Sequence, residues 1–112
     1  MNSKMQSTRE KDFLKLIGLS GTIDILFYLD EHDQGQYENF NSLVSTSTLN
    51  TRLRQLLKFG LITHHLARED AKKEWYEITE KGRKVVGHLK RLIEICTSAE
   101  GGKEDELMQE VI

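Results

Sequence analysis

The chain reads as a mainly helical domain with one small β-hairpin. Several segments repeat apolar residues at the helical period, and a single pair of strand-like runs brackets a polar tip. The length of 112 residues fits one domain. With 38% hydrophobic and 30% charged residues, the composition supports a real core. A chain of this size does not also hold a deep substrate cleft with a lid.

Thr8 to Leu19 is expected to be the first helix, with Phe13, Leu16 and Ile17 inward. Ser20-Gly21 breaks it, and Ser20 is expected to cap a second helix running to about Asp30. Ile23, Ile25, Leu26, Phe27 and Leu29 nearly surround that helix, which marks it as central. Glu31 to Gly35 reads as a loop. A short helix follows at about Glu38 to Val44, then a turn at Ser45-Thr46-Ser47 rich in capping residues. The next helix, Ser47 to Phe59, carries Leu49, Leu53, Leu56 and Leu57 as one stripe, and Gly60 stops it. Strands are expected over Leu61 to Ala67 and Glu74 to Thr79, joined by the polar tip Arg68 to Lys73. Thr79 caps a last helix to about Thr97, with Val85, Leu89, Leu92, Ile93 and Cys96 in line. Two short helices around a tight turn, followed by a hairpin, form a winged helix-turn-helix domain, here with extra N- and C-terminal helices. Residues 1–97 are expected to be the folded unit. Ser98 to Gly102 reads as a linker into an acidic tail, so that 98–112 lies outside the fold.

The middle of the chain resembles the winged-helix transcriptional regulators of the MarR and HxlR type. Ser47-Thr48-Leu49-Asn50-Thr51-Arg52-Leu53-Arg54-Gln55-Leu56 is similar to their recognition helix. Leu57-Lys58-Phe59-Gly60-Leu61-Ile62 is similar to the exit into the hairpin, and Tyr76-Glu77-Ile78-Thr79-Glu80-Lys81-Gly82 to the return from it. The likeness covers about residues 37 to 90. The link between the two central helices is shorter than in the family. The N-terminal cysteine of the HxlR type is absent, so no redox sensing carries over. The resemblance implies DNA binding and usually a homodimer, and identifies neither an operator nor a small-molecule effector.

Formal net charge is −2, which by itself says nothing of nucleic acid. Its distribution does. Residues 45–91 hold 11 Lys+Arg against 5 Asp+Glu, whereas 1–44 hold 4 against 7 and 92–112 hold 1 against 6. The local field over the helix-turn-helix and hairpin is therefore positive, and phosphates respond to local field. Taking Leu53 as the buried centre, Thr48, Thr51, Gln55 and Lys58 fall on the far side, flanked by Ser47, Arg52 and Arg54. These residues suit double-stranded DNA in the major groove. Arg68, Lys72 and Lys73, at the tip of a wing spanning about 67–74, suit the minor groove, although Glu69 and Asp70 lie beside them. A solvated helix face and a polar turn are the plainer alternatives.

No phosphate loop, nucleophile motif or metalloprotease helix is present, so neither catalysis nor a cofactor is expected. His64 and His65 are adjacent on a strand and point to opposite faces, which argues against a shared metal. Trp75 and Tyr76 alternate in the same way. The terminal helices exceed what a winged helix needs. Phe13, Leu16, Val86, Leu89, Leu92, Ile93 and Cys96 are the expected dimer surface. A lone cysteine, no apolar run near the roughly 20 residues of a membrane helix, and no signal-like start suggest the cytoplasm. Two other functions fit the same pattern: a winged helix used for protein contacts, and a non-specific architectural DNA binder.

Overall fold

Ser7 opens the fold. In the computed structural model, which describes residues 7–69 and 73–98, its hydroxyl accepts from the Glu10 N–H at 3.0 Å while Glu10 bonds back to the Ser7 N–H at 3.1 Å. This capping box starts α1, Thr8–Ile17. The helix ends two residues sooner than its apolar pattern suggests, because Gly18 turns the chain. Ser20 does not cap the next helix. Gly21 does, with φ at 88°, and a Cβ there would collide with Val44. α2 runs Thr22–His32, past Asp30, and buries Ile25, Leu26 and Leu29 completely. Thr22 is buried too, its hydroxyl donating to the Leu16 carbonyl at 2.7 Å.

The segment expected as a loop contains a short strand, β1, Gln34–Gly35. Only Gln34 and Gly35 pair, so there is no alternating pattern to betray them. α3 is a single turn, Tyr37–Phe40, rather than a helix to Val44. Residues 41–44 continue as turns, with the Leu43 N–H bonded to the Phe40 carbonyl. α4 spans Thr46–Lys58, capped by Ser45, one residue earlier than expected. It ends in a Schellman motif: the Leu61 N–H reaches the Leu56 carbonyl, the Gly60 N–H reaches that of Leu57, and Gly60 has φ at 73°.

β2, Ile62–Leu66, and β3, Glu74–Ile78, form the hairpin. β1 adds to β3, so the sheet has three antiparallel strands in the order β1-β3-β2. Thr79 then joins sheet to helix. Its hydroxyl donates to the Gly60 carbonyl at 2.7 Å and accepts from the Gly82 N–H, capping α5, Glu80–Thr97.

The core gathers Leu16, Ile25, Leu26, Leu29, Phe40, Leu49, Leu53, Leu56, Leu61, Ile62 and Val86. Leu57, expected on the buried stripe, is 37% exposed. Leu16 and Val86, expected at a dimer surface, are 2% and 1% exposed and belong to the protomer's own core. α2 and α5 are also tied by Asp30, which accepts from Arg83 at 3.0 Å and Lys90 at 3.3 Å. Arg83 pairs with Asp33 as well.

Gly82 lies where α5 crosses the edge of the core. A Cβ there would strike the Leu61 carbonyl oxygen and approach Ile78 within 2.7 Å. Gly82→Ala is therefore expected to lower unfolding free energy by about 1–3 kcal/mol. Gly87 meets nothing within 4 Å. Gly87→Ala should raise unfolding free energy by roughly 0.5–1 kcal/mol. Paired urea melts check both signs.

Candidate nucleic-acid interface

Three leucines set the roll of α4. Leu49, Leu53 and Leu56 are 0%, 3% and 0% exposed. Their mean direction lies roughly 35° from Leu53 alone at 100° per residue. The outward face turns accordingly, away from Gln55 and toward Arg54. Ser47, Thr51, Arg54 and Lys58, spaced i, i+4, i+7, i+11, are all exposed. Arg54 and Lys58 enter no ion pair among the described residues.

The other expected contacts sit on the flank and are engaged within the protein. Arg52 Nε donates to the Ser20 carbonyl at 2.8 Å, and its Nη1 donates to Gln55 Oε1 at 3.1 Å. That fork latches α4 to the turn before α2 and holds the Gln55 amide. The Thr48 hydroxyl accepts from Ser45 at 3.0 Å. Arg52 and Thr48 are thus half-buried structural groups first, whatever else they touch.

The other flank holds two residues that sequence reasoning passed over. Tyr37, the first residue of α3, donates its hydroxyl to Asn50 Oδ1 at 2.9 Å. Spacing alone gives no signal for a bond across 13 residues between a turn and a helix.

In the wing, the Ala67 N–H bonds to the Lys73 carbonyl at 2.9 Å, closing the hairpin above the sheet. Arg68 and Lys73 are exposed. Lys72 and Asp70 lie outside the described residues. The two histidines take opposite faces, as the strand period requires. His64 stacks on Tyr76 with ring centroids 4.7 Å apart and bonds Glu74 at 2.7 Å. His65 stacks on Trp75 at 5.3 Å, bonds the Thr63 hydroxyl, and lies 3.5 Å from a Glu77 oxygen. The Trp75 indole N–H donates to Glu77. Tyr76 faces the core, edge-on to Phe40. Burial raises its hydroxyl pKa above the ordinary value, and the Glu74 charge adds to the shift. Among the described residues no three His, Cys, Asp or Glu side chains gather as metal ligands.

The sequence that builds this helix-turn-helix and hairpin matches a known family profile. The HxlR-like helix-turn-helix profile covers residues 20–102. The chain belongs to this family. It is a DNA-binding transcriptional regulator of the helix-turn-helix type. No curated protein sequence matches it significantly. Solved structures share the fold at low identity. ZitR of Lactococcus lactis superposes with a TM-score of 0.64 at 20% identity, over 93% of this chain and 80% of that one. MepR of S. aureus in complex with DNA gives 0.65 at 16%, over 97% and 93%. The reduced form of the transcriptional regulator YodB of B. subtilis gives 0.64 at 14%, over 87% and 99%. Among the described residues no helix of this family member is long and apolar enough to cross a membrane.

The division of α4 into stripe and latch has a measurable consequence. Arg52→Met is expected to cost about 1–2 kcal/mol of stability, since it frees the Ser20 carbonyl and the Gln55 amide. Arg54→Ala should stay within about 0.5 kcal/mol of wild type, being exposed and unpaired in the fold. Thermal denaturation of the two variants separates the roles.

Proposed function

We propose that the regulator acts as a homodimer, each protomer laying α4 in the major groove and its wing, about residues 67–74, near the minor groove. The observation that carries this reading is the outward stripe Ser47, Thr51, Arg54 and Lys58. It offers two hydroxyls, that of Thr51 donating to the Ser47 carbonyl at 3.2 Å, and two cations that enter no ion pair among the described residues. An arginine there suits a guanine edge, and Lys58 and the hydroxyls suit base edges or phosphates. Arg68 and Lys73, both exposed, extend the positive charge into the wing. MepR, of the same fold, is known in complex with DNA.

The dimer is inferred from α5 and α1. Past Leu89 the last helix leaves the core, and Leu92, Ile93 and Ile95 are 58%, 47% and 56% exposed. Cys96 is exposed beside them. On α1, Leu14 is 58% exposed and, with Phe13, borders an open apolar trough of about 720 Å³. Apolar surface of this kind, on helices at both chain ends, suits a second copy related by a two-fold axis. Such a dimer presents its recognition helices about one DNA turn apart, roughly 34 Å, and selects an inverted repeat.

Fluorescence anisotropy on a duplex selected from a random pool tests the DNA contacts. Arg54→Ala should relax base preference at one position per half-site, at roughly 1–3 kcal/mol for a bidentate contact. Lys58→Ala should weaken all duplexes alike and flatten the salt slope by about one unit. A chain ending at Gly102 should bind as well as the full chain. Unchanged binding in both alanine variants would point to a module for protein contacts, and binding without sequence preference to an architectural protein. For the dimer, Leu92→Glu should shift sedimentation at tens of micromolar from dimer to monomer. A monomeric wild type at that concentration defeats the dimer.

A further inference from the structure

Asn50 is an unexpected residue at its position. It is exposed in the body of α4, where asparagine is a poor helix former because its amide competes for backbone groups. Its amide is nevertheless committed elsewhere. The Tyr37 hydroxyl lies 2.9 Å from Asn50 Oδ1, and 3.4 Å from the Thr46 carbonyl oxygen. The shorter contact takes the hydroxyl proton, so Oδ1 faces Tyr37 and the Nδ2 hydrogens face away from it.

Asn50 is also a neighbour of the outward stripe. It follows Ser47 by three residues, precedes Arg54 by four and adjoins Thr51. Ser47, Asn50, Thr51 and Arg54 therefore make one i, i+3, i+4, i+7 patch, and all four are exposed. The patch lies in the N-terminal two-thirds of α4, the part of a recognition helix that meets base edges.

We propose that Asn50 reads an adenine in the major groove and that Tyr37 is the residue that positions its amide. The proposal rests on the DNA-binding reading above and names a base contact within it. Adenine presents the N7 acceptor beside the N6 donor, and an asparagine amide meets both, donating from Nδ2 and accepting at Oδ1. A carboxamide oxygen has two lone pairs, so Oδ1 takes the Tyr37 proton and the N6 proton together. Guanine places the O6 acceptor where adenine has its donor, and the same amide then opposes oxygen to oxygen. Holding the amide before DNA arrives removes ordering that binding would otherwise have to supply. A bond that served only to fasten α3 to α4 would affect stability and leave no signature at one base.

The test uses the full chain and the duplex it selects from a random pool, with each adenine replaced singly by 7-deazaadenine, which lacks the N7 acceptor. Wild type should lose about tenfold or more in affinity at one adenine of each half-site. Asn50→Ala should be indifferent to that replacement, while Arg54→Ala should keep the full penalty. Tyr37→Phe keeps the ring and removes the proton. It should bind with a smaller 7-deazaadenine penalty than wild type, a change at one base that a loss of stability alone does not produce. If wild type selects and binds a duplex but Asn50→Ala keeps every penalty, the adenine contact is overturned and the DNA-binding reading stands. If Tyr37→Phe keeps the full wild-type penalty, the positioning role of Tyr37 is overturned. If wild type enriches and binds no duplex, both fall.

Discussion

Burial of Leu49, Leu53 and Leu56 decides which way α4 faces, and most of what the molecule offers to a partner follows from that. Fully burying a leucine contributes about 1.5–3 kcal/mol relative to leaving it exposed. Rolling the helix by one residue would bring at least one of the three back into water and drive Arg52 or Arg54 toward the core. Arg52 adds a directional check, since its two bonds to Ser20 and Gln55 form only at one roll angle. Further along, the Schellman turn at Gly60 and the double role of Thr79 tie the end of α4 to β2 and to the start of α5. The stripe from Ser47 to Lys58 is outward because everything on the opposite side is spoken for.

The wing hangs on the same core through aromatic contacts. Tyr28 packs edge-on to Phe40 at 5.5 Å, Phe40 to Tyr76 at 6.4 Å, and Tyr76 stacks on His64. This row of rings runs from the central helix to the middle of the hairpin. These contacts hold the base of the wing to the core. β1 gives β3 a partner on each side, so the central strand of the sheet is the one that bears Tyr76.

α5 divides its labour along its length. Its first turns cap onto Thr79, bury Val86 and exchange charges with α2 through Arg83 and Lys90. Its later turns carry Leu92, Ile93 and Ile95, which are 58%, 47% and 56% exposed. The helix thus begins as core and ends as exposed apolar surface.

The order of the helices and the hairpin is legible in the chain, because each long element carries its own periodicity. Gly60 and Thr79 mark the end of α4 and the start of α5 through local bonds that span a few residues, and local bonds are legible in a string. The basic charge between residues 45 and 91 was legible for the same reason. Other features depend on contacts between distant segments. β1 is Gln34 and Gly35, strands solely because β3 offers them partners. Gly21 rather than Ser20 starts α2, because the close approach of Val44 leaves no room for a side chain. Leu16 and Val86 went to the core, and the outward face of α4 turned from Gln55 toward Arg54. The bond between Tyr37 and Asn50 joins residues whose separation follows no helical or strand period. In each case the deciding contact links positions far apart in the chain, and periodicity within a single element carries no information about what will pack against it.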